Sequence, residues 1–264
     1  MDVQIKRSKR KRYEKREVST LKAIIIIYLL LIHVFVGIAI LKTDIISRLQ
    51  VKLGHEVIRA ELTPLYHTML AFHRRVDENI PDQSILFIGD SLTQGLAVTA
   101  VYPKSVNLGI GQDTTVGVLK RIPFYHSIPR SKMIIIAIGV NDLKRRDNDE
   151  IVNNFLKIIN LIPNNIPILL SAIFPVDEIA SGRVGINDRI RRLNGSLNTI
   201  CRSSQRLHFL DISKLVTDAN GNLSVDYHIG DGVHLNGMGN SIWISQLRAH
   251  GQEVVEILDV LNGY

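Results

Sequence analysis

The sequence predicts an α/β fold, a mainly parallel sheet covered by helices on both faces, preceded by one membrane-spanning helix. From residue 84 onward, short apolar runs alternate with longer amphipathic segments, which is the order of parallel strands with crossover helices. The run at residues 133–138 is apolar at every position, as expected of a strand buried on both faces. A 19-residue apolar segment lies near the N-terminus.

The net charge of +7 is concentrated in an N-terminal tail. Residues 1–22 contain nine Lys or Arg and three acidic residues, whereas the rest of the chain contains 23 basic and 22 acidic residues. Such a tail is compatible with a nucleic-acid-binding arm. The apolar segment beside it accounts for the charge instead, so we expect no nucleic-acid partner.

Residues 23–41, directly after the tail, are predicted to cross a lipid bilayer. The segment has no formal charge, and as a helix it would measure roughly 28 Å, close to the ~30 Å hydrocarbon core. Because Lys and Arg stay on the cytoplasmic side, residues 42–264 are expected in the periplasm or extracellular space. A cleaved signal peptide is the alternative, but the apolar run is longer than the usual ~7–15 residues.

Residues 42–80 are expected to form a partly helical stem. Apolar residues recur with helical spacing from Leu65 to Val76, and Pro64 suits the start of a helix. The spacing leaves two arrangements open, since this helix can pack on the following domain or separate it from the bilayer. Residues 81–264 are expected to form the folded domain.

Five strands and five longer helices are predicted in that domain. The strands fall at residues 85–88, 105–108, 133–138, 166–174 and 207–210. The helices fall at residues 114–121, 149–161, 186–200, 239–249 and 252–261. Cys201, the single cysteine, lies on one of these helices among apolar neighbours, so we expect an inert core thiol.

Four polar segments are expected to meet beyond the carboxyl ends of the strands, where such sheets bind ligands. They are Gly89-Asp90-Ser91-Leu92, residues 107–115, Gly139-Val140-Asn141-Asp142 and Asp231-Gly232-Val233-His234. Each alone has a structural explanation, such as a turn with a helix cap. Together they contain the parts that acyl transfer requires.

A serine hydroxyl is a poor nucleophile near neutral pH and needs a base, for which histidine is suited. Ser91 is the expected nucleophile and His234 the expected base. Asp231, three residues before His234, is placed to hold the imidazole in one tautomer.

The oxyanion of the tetrahedral intermediate needs preorganised hydrogen-bond donors. We expect three: the backbone N–H of Ser91, a backbone N–H in the turn at Gly111 and Gln112, and the side-chain amide of Asn141.

In this order, the four segments resemble the blocks of the SGNH hydrolase superfamily, also called GDSL esterases and lipases. Gly89-Asp90-Ser91-Leu92 matches the motif that names the family, and the resemblance covers about residues 84–250. It implies a three-layer α/β/α fold related to flavodoxin. It also implies the roles given above to Ser91, Asp231 and His234, and no metal or organic cofactor.

One position departs from that family's pattern. Glycine usually precedes the Asp of the second block, whereas here Gln112 does, and glycine lies one position earlier at Gly111. A backbone N–H does not require glycine, so Gln112 is the expected second donor and Gly111 the alternative. We expect the Gln112 side chain to narrow the acyl pocket.

A zinc site is the alternative use of the last polar segment. Residue types that ligate zinc recur within nine residues, at Asp226, His228, Asp231 and His234. Such a site would leave Ser91 without a role, so we expect no metal.

The sequence therefore predicts a membrane-anchored serine esterase that acts outside the cytoplasm. The expected reaction is hydrolysis of a short-chain ester, such as an acetyl group on an envelope or extracellular glycan. The alternatives are a lysophospholipase or thioesterase acting on lipid acyl chains, an acyltransferase to a sugar hydroxyl, and a non-catalytic binding module that keeps the fold.

Overall fold

The computed structural model describes residues 20–38 and 61–261, which belong to two separate units. The first unit contributes one helix, α1 (Thr20–Ile38). Its apolar stretch has a mean hydropathy of 2.6, and no residue of that stretch is buried. By length and composition α1 can cross a membrane, a property it shares with signal sequences. The basic tail before residue 20 and the last three residues of the predicted span lie outside the described residues.

The second unit contains a five-stranded sheet in which every neighbouring pair of strands is parallel. The strands are β1 (Ile85–Gly89), β2 (Ser105–Gly109), β3 (Met133–Ala137), β4 (Ile168–Ser171) and β5 (Leu207–Leu210). Their order in the sheet is β2-β1-β3-β4-β5, the doubly wound order of flavodoxin-like folds. The predicted fold class is confirmed, and the order reverses beside β1, where such sheets have their ligand crevice.

Helices cover both faces of this sheet. They are α2 (Pro64–Asp77), α3 (Ser91–Gln94), α4 (Val98–Val101), α5 (Thr115–Arg121), α6 (Asn148–Leu161), α7 (Ile186–Arg202), α8 (Ser213–Val216) and α9 (Gly237–Leu261), with short 3-10 turns at Ile122–Phe124, Ile128–Arg130 and Asp142–Lys144. Successive strand residues point to opposite faces. On β1, Leu86 and Ile88 therefore enter one core cluster while Ile85 and Phe87 enter the other.

Helix α2, whose placement the sequence left open, packs on the unit that contains the sheet. The Tyr66 hydroxyl donates to the Gly117 carbonyl at 3.0 Å. At the other end of the helix, the Asp77 carboxylate accepts the N–H of Ser127 at 3.3 Å. The compact unit starts at Ala60 rather than at residue 81, so the described part of the expected stem belongs to it.

The fourth strand is shorter than predicted. It was expected at residues 166–174, whereas β4 ends at Ser171. Beyond it, a side chain takes the place of a neighbouring strand. Asn194 on α7 accepts the N–H of Ile173 at 2.9 Å and donates to the Ile173 carbonyl at 2.8 Å.

The two helices predicted at residues 239–249 and 252–261 are one helix, α9. The predicted break falls at Gly251, where a Cβ would lie 1.9 Å from the Tyr102 hydroxyl. Glycine is therefore needed here for close packing and does not end the helix. The Tyr102 hydroxyl donates to the Leu247 carbonyl at 3.1 Å.

Cys201 lies on α7 and is 4% exposed. Burial raises the pKa of its thiol to about 12. Since the thiolate is the reactive form of cysteine, the thiol is unreactive near neutral pH, as the sequence predicts.

Candidate active site

The four polar segments meet at the carboxyl edge of the sheet. Ser91 is the first residue of α3, directly after β1 and its capping residue. Its Oγ lies 2.8 Å from His234 Nε2, although 143 positions separate the two residues in sequence. The other ring nitrogen, His234 Nδ1, lies 2.5 Å from Asp231 Oδ2. This is the geometry of a nucleophile, a base and an orienting carboxylate.

A tight turn fixes the orientation of Asp231. Its Oδ1 accepts the backbone N–H groups of Val233 and His234, both at 2.9 Å, which leaves Oδ2 facing the imidazole. Partial burial raises the pKa of Asp231, but the hydrogen bonds from His234 and Val233 outweigh it and lower this pKa to about 2. An ionised Asp231 keeps the imidazole proton on Nδ1 and leaves Nε2 to accept the Ser91 proton.

His228, one of the four residues considered for zinc, orders the same loop instead. Its Nδ1 accepts the N–H groups of Gly230 at 2.9 Å and Gly232 at 3.2 Å, so this lone pair is occupied. Its Nε2 lies 3.5 Å from Asp177 Oδ2, and the His228 side chain is buried. In the described part of the chain, no group of three or more His, Cys, Asp or Glu is arranged to hold a metal ion.

The turn after β2 contains the two candidate backbone donors, and they differ in availability. The Gly111 N–H already donates to Gln94 Oε1 at 2.8 Å. Within the described residues, no hydrogen bond uses the Gln112 N–H. Gln112 has a φ of 65°, a left-handed conformation that favours glycine, which explains the glycine in the family's pattern at this position.

Asn141 follows β3 and contacts the same turn. Its Nδ2 donates to the Asp113 carbonyl at 3.0 Å, which fixes the plane of the amide. An amide nitrogen carries two hydrogens, so the second remains for a substrate oxygen. Asn141 precedes the 3-10 turn at Asp142–Lys144 but makes no side-chain capping bond to it, so a capping role does not account for this residue.

Arg121 lies beneath these loops, and no local sequence pattern indicates its role. Its side chain is fully buried, and its Nε donates to Asp113 Oδ2 at 2.8 Å. Nη2 donates to the Gly89 carbonyl at 3.0 Å, and Nη1 donates to the Leu108 carbonyl at 2.6 Å. One guanidinium thus joins the carboxyl ends of β1 and β2 to the turn at residues 111–113.

The segment expected to form a stem also reaches the site. A Cβ at Gly111 would lie 3.3 Å from Leu65 Cδ2, so the Leu65 side chain borders the turn that contains Gly111 and Gln112. Glu61 Oε1 accepts the Thr114 hydroxyl at 2.6 Å and forms an ion pair with Arg146. Thr114 follows β2 and Arg146 follows β3, so the chain enters this unit at the edge where Ser91 lies.

The fold and the Ser–His–Asp arrangement together are those of a serine ester hydrolase. Residues 87–242 match the GDSL-like Lipase/Acylhydrolase family, and this region is more than half of the chain. The protein therefore belongs to that family, as the four segments predict. A comparison with curated protein sequences finds no significant match.

Solved structures share the fold. A Streptococcus pneumoniae protein provisionally named a platelet activating factor is 23% identical, with a TM-score of 0.65, over 70% of this chain and 92% of that one. A GDSL-like lipase from Bacteroides thetaiotaomicron is 18% identical, with a TM-score of 0.59, over 71% and 97%. A carbohydrate esterase of family 3 from Talaromyces cellulolyticus is 14% identical, with a TM-score of 0.51, over 66% and 98%.

Proposed function

We propose that the protein is a membrane-anchored esterase that hydrolyses short-chain acyl esters with Ser91, His234 and Asp231 as its catalytic triad. The observation that carries this proposal is the continuous contact from the Ser91 hydroxyl through the imidazole to the carboxylate, at 2.8 and 2.5 Å. The substrates we favour are O-acetyl groups on envelope or extracellular glycans. A carbohydrate esterase among the similar folds and the predicted location outside the cytoplasm support this choice.

The reaction proceeds in two steps that share one base. The Ser91 oxygen bonds to the acyl carbon while His234 Nε2 takes the serine proton, and the former carbonyl oxygen becomes an oxyanion. The N–H groups of Ser91 and Gln112 and the Asn141 amide donate to that oxyanion. The intermediate then expels the alcohol, which takes its proton from His234. Water repeats the sequence on the acyl-serine and releases the carboxylic acid.

The nucleophile is tested with the full chain in detergent. We expect Ser91→Ala to abolish ester hydrolysis without changing the circular dichroism spectrum, because the proposed acyl intermediate forms on the Ser91 oxygen. A fluorophosphonate probe should label the unaltered protein at Ser91. Ser196→Ala, which removes an exposed hydroxyl on α7, is the matched control and should keep full activity.

Chelation separates this mechanism from the zinc alternative. Hydrolysis should continue in the presence of a strong chelator. Activity that is lost with the chelator and restored by zinc would contradict the serine mechanism. A panel of acetyl, butyryl, octanoyl and thioester substrates beside acetylated glycans then identifies the acyl group.

A further inference from the structure

Among the described side chains of the catalytic unit (Ala60–Tyr264), the most exposed apolar ones occur in two stretches of the chain. In its described part, five large apolar side chains are between 62% and 86% exposed, and all others are exposed by 54% or less. We call these five the apolar rim: Ile179, Val184, Val225, Ile229 and Met238. Apolar clusters left in water are typical of interaction sites.

The loop after β4 contacts the loop that carries the catalytic base. The Asp177 carboxylate, two residues before Ile179, lies 3.5 Å from His228 Nε2. Ile229 follows His228 directly and donates its N–H to the His234 carbonyl at 3.0 Å. These two rim residues therefore lie on segments that touch each other, and Ile229 is bonded to the catalytic base.

Hydrogen bonds of one asparagine, Asn236, connect the segments that carry Val225 and Met238 to the same loop. The Asn236 N–H donates to the Tyr227 carbonyl at 2.9 Å, and its Nδ2 donates to the Asp226 carbonyl, next to Val225, at 2.8 Å. Asn236 Oδ1 accepts the Met238 N–H at 2.9 Å. Val225 and Met238 thus lie beside residues that are bonded to the same loop.

The first described residue of the catalytic unit, Glu61, lies at this same edge. Glu61 bonds to Thr114 and Arg146, which follow β2 and β3. Residues 39–60 are 22 residues, whose greatest reach is about 75 Å at ~3.3–3.6 Å per residue. If α1 spans a membrane, this length of chain keeps the catalytic unit within that distance of the bilayer.

We propose that the apolar rim docks on the bilayer that holds α1, so that Ser91 faces esters at the level of the lipid headgroups. The proposal rests on the membrane anchoring proposed above. A lipid surface is the favoured occupant because the anchor keeps it at high effective concentration beside the rim. Transfer of Ile, Val and Met side chains from water to the headgroup boundary lowers the free energy of the system.

The first test measures the environment of the rim directly. Ile229→Cys in the full chain is labelled with a nitrobenzoxadiazole dye and reconstituted into phosphatidylcholine vesicles. Buried Cys201 does not compete for the label. We expect a blue-shifted emission and at least twofold quenching by lipids that carry a nitroxide near the headgroup.

The matched control for this label is Leu161→Cys. Leu161 is also apolar and 45% exposed, but it ends α6 and precedes β4, at the opposite edge of the sheet. Its label should show neither the shift nor the quenching. An unshifted, unquenched label at residue 229 would overturn the proposal. Crosslinking or sedimentation that shows the apolar rim buried in a dimer of this chain would also overturn it.

The second test separates docking from catalysis. Combining Ile179→Ser with Val184→Ser should lower hydrolysis of an ester embedded in vesicles by on the order of tenfold, while hydrolysis of a water-soluble acetyl ester changes less than twofold. Equal loss on both substrates would overturn docking. If the unaltered protein hydrolyses neither ester, the proposed function fails, whereas the dye measurement still decides where the rim lies.

Discussion

The amide of Asn141 is oriented before any substrate binds, because one of its hydrogens is held by the Asp113 carbonyl at 3.0 Å. A donor that needs no reorganisation acts mainly on the charge that develops in the transition state. We expect Asn141→Ala to lower kcat by roughly 10²–10³ with a small change in KM, measured by steady-state kinetics on an acetyl ester.

The control for this substitution is Asn164→Ala, which removes an exposed amide from the loop before β4. It should leave both kinetic constants unchanged. An unchanged kcat in Asn141→Ala would show that Asn141 does not donate to the oxyanion, so that only the two backbone N–H groups would remain as donors.

Asp90 gives the folded protein a pH-dependent contribution to its stability. It is 1% exposed, accepts the Leu92 N–H as the cap of α3, and burial raises its pKa to about 7. In the unfolded chain this pKa is about 3.9. From about pH 4 to pH 7 the folded state therefore binds the proton more tightly, so the stability due to Asp90 falls as pH rises.

Asp90→Asn keeps a good capping residue and removes this titration. We expect its melting temperature, relative to that of the unaltered protein, to rise steadily between pH 4 and pH 8. A difference that is flat with pH in Asp90→Asn would contradict the buried, protonated state.

The residues for acyl transfer could be predicted because their chemical types and order restrict the alternatives. The structure brings Ser91, His234 and Asp231 into contact. The left-handed backbone of Gln112 and the place of Arg121 could not be predicted. Both depend on how loops pack, and one arginine among 32 Lys and Arg has no local pattern that marks it as buried.

Arg121 sets the spacing between elements, since it donates to the Gly89 carbonyl at the end of β1 and to the Leu108 carbonyl near the end of β2, and it pairs with Asp113. Removing one partner of a buried ion pair leaves an uncompensated charge. We expect Arg121→Met to reduce the free energy of unfolding by roughly 3–5 kcal/mol, measured by urea denaturation.

A second substitution tests the cause of that loss. Combining Arg121→Met with Asp113→Asn should recover part of the stability, because no charge then remains buried alone. Lys120→Ala, an exposed change one residue earlier on α5, should stay within about 0.5 kcal/mol. A loss in Arg121→Met no larger than in Lys120→Ala would mean that the pair does not join these strands.

Periodicity located α2 but not its buried face. Leu65 and Phe72 belong to the apolar stripe, yet they are 40% and 54% exposed, whereas His73 and Asp77 are buried. The buried polar groups have partners, since His73 Nδ1 lies 3.0 Å from the Tyr125 hydroxyl. A pattern based on hydrophobicity cannot detect a face that is buried through hydrogen bonds.

For the whole molecule, the central expectation is the side of the membrane on which each terminus lies. Because a basic tail beside an apolar span favours a cytoplasmic N-terminus, we expect an alkaline phosphatase fused after Tyr264 to be active, since that enzyme matures outside the cytoplasm. The same reporter placed before Met1 should be inactive. The reverse pattern would contradict the proposed anchor and remove the support for a glycan substrate outside the cell.

The single cysteine also has a consequence for how the protein matures. The sequence has one thiol, which is buried on α7 and keeps its proton at neutral pH. The fold therefore contains no disulfide within the chain and does not require oxidation to form. The chain should reach the same state in a reducing cytosol and in an oxidising compartment, without help from disulfide-forming catalysts. Its maturation should therefore be indifferent to the redox conditions of the host that expresses it.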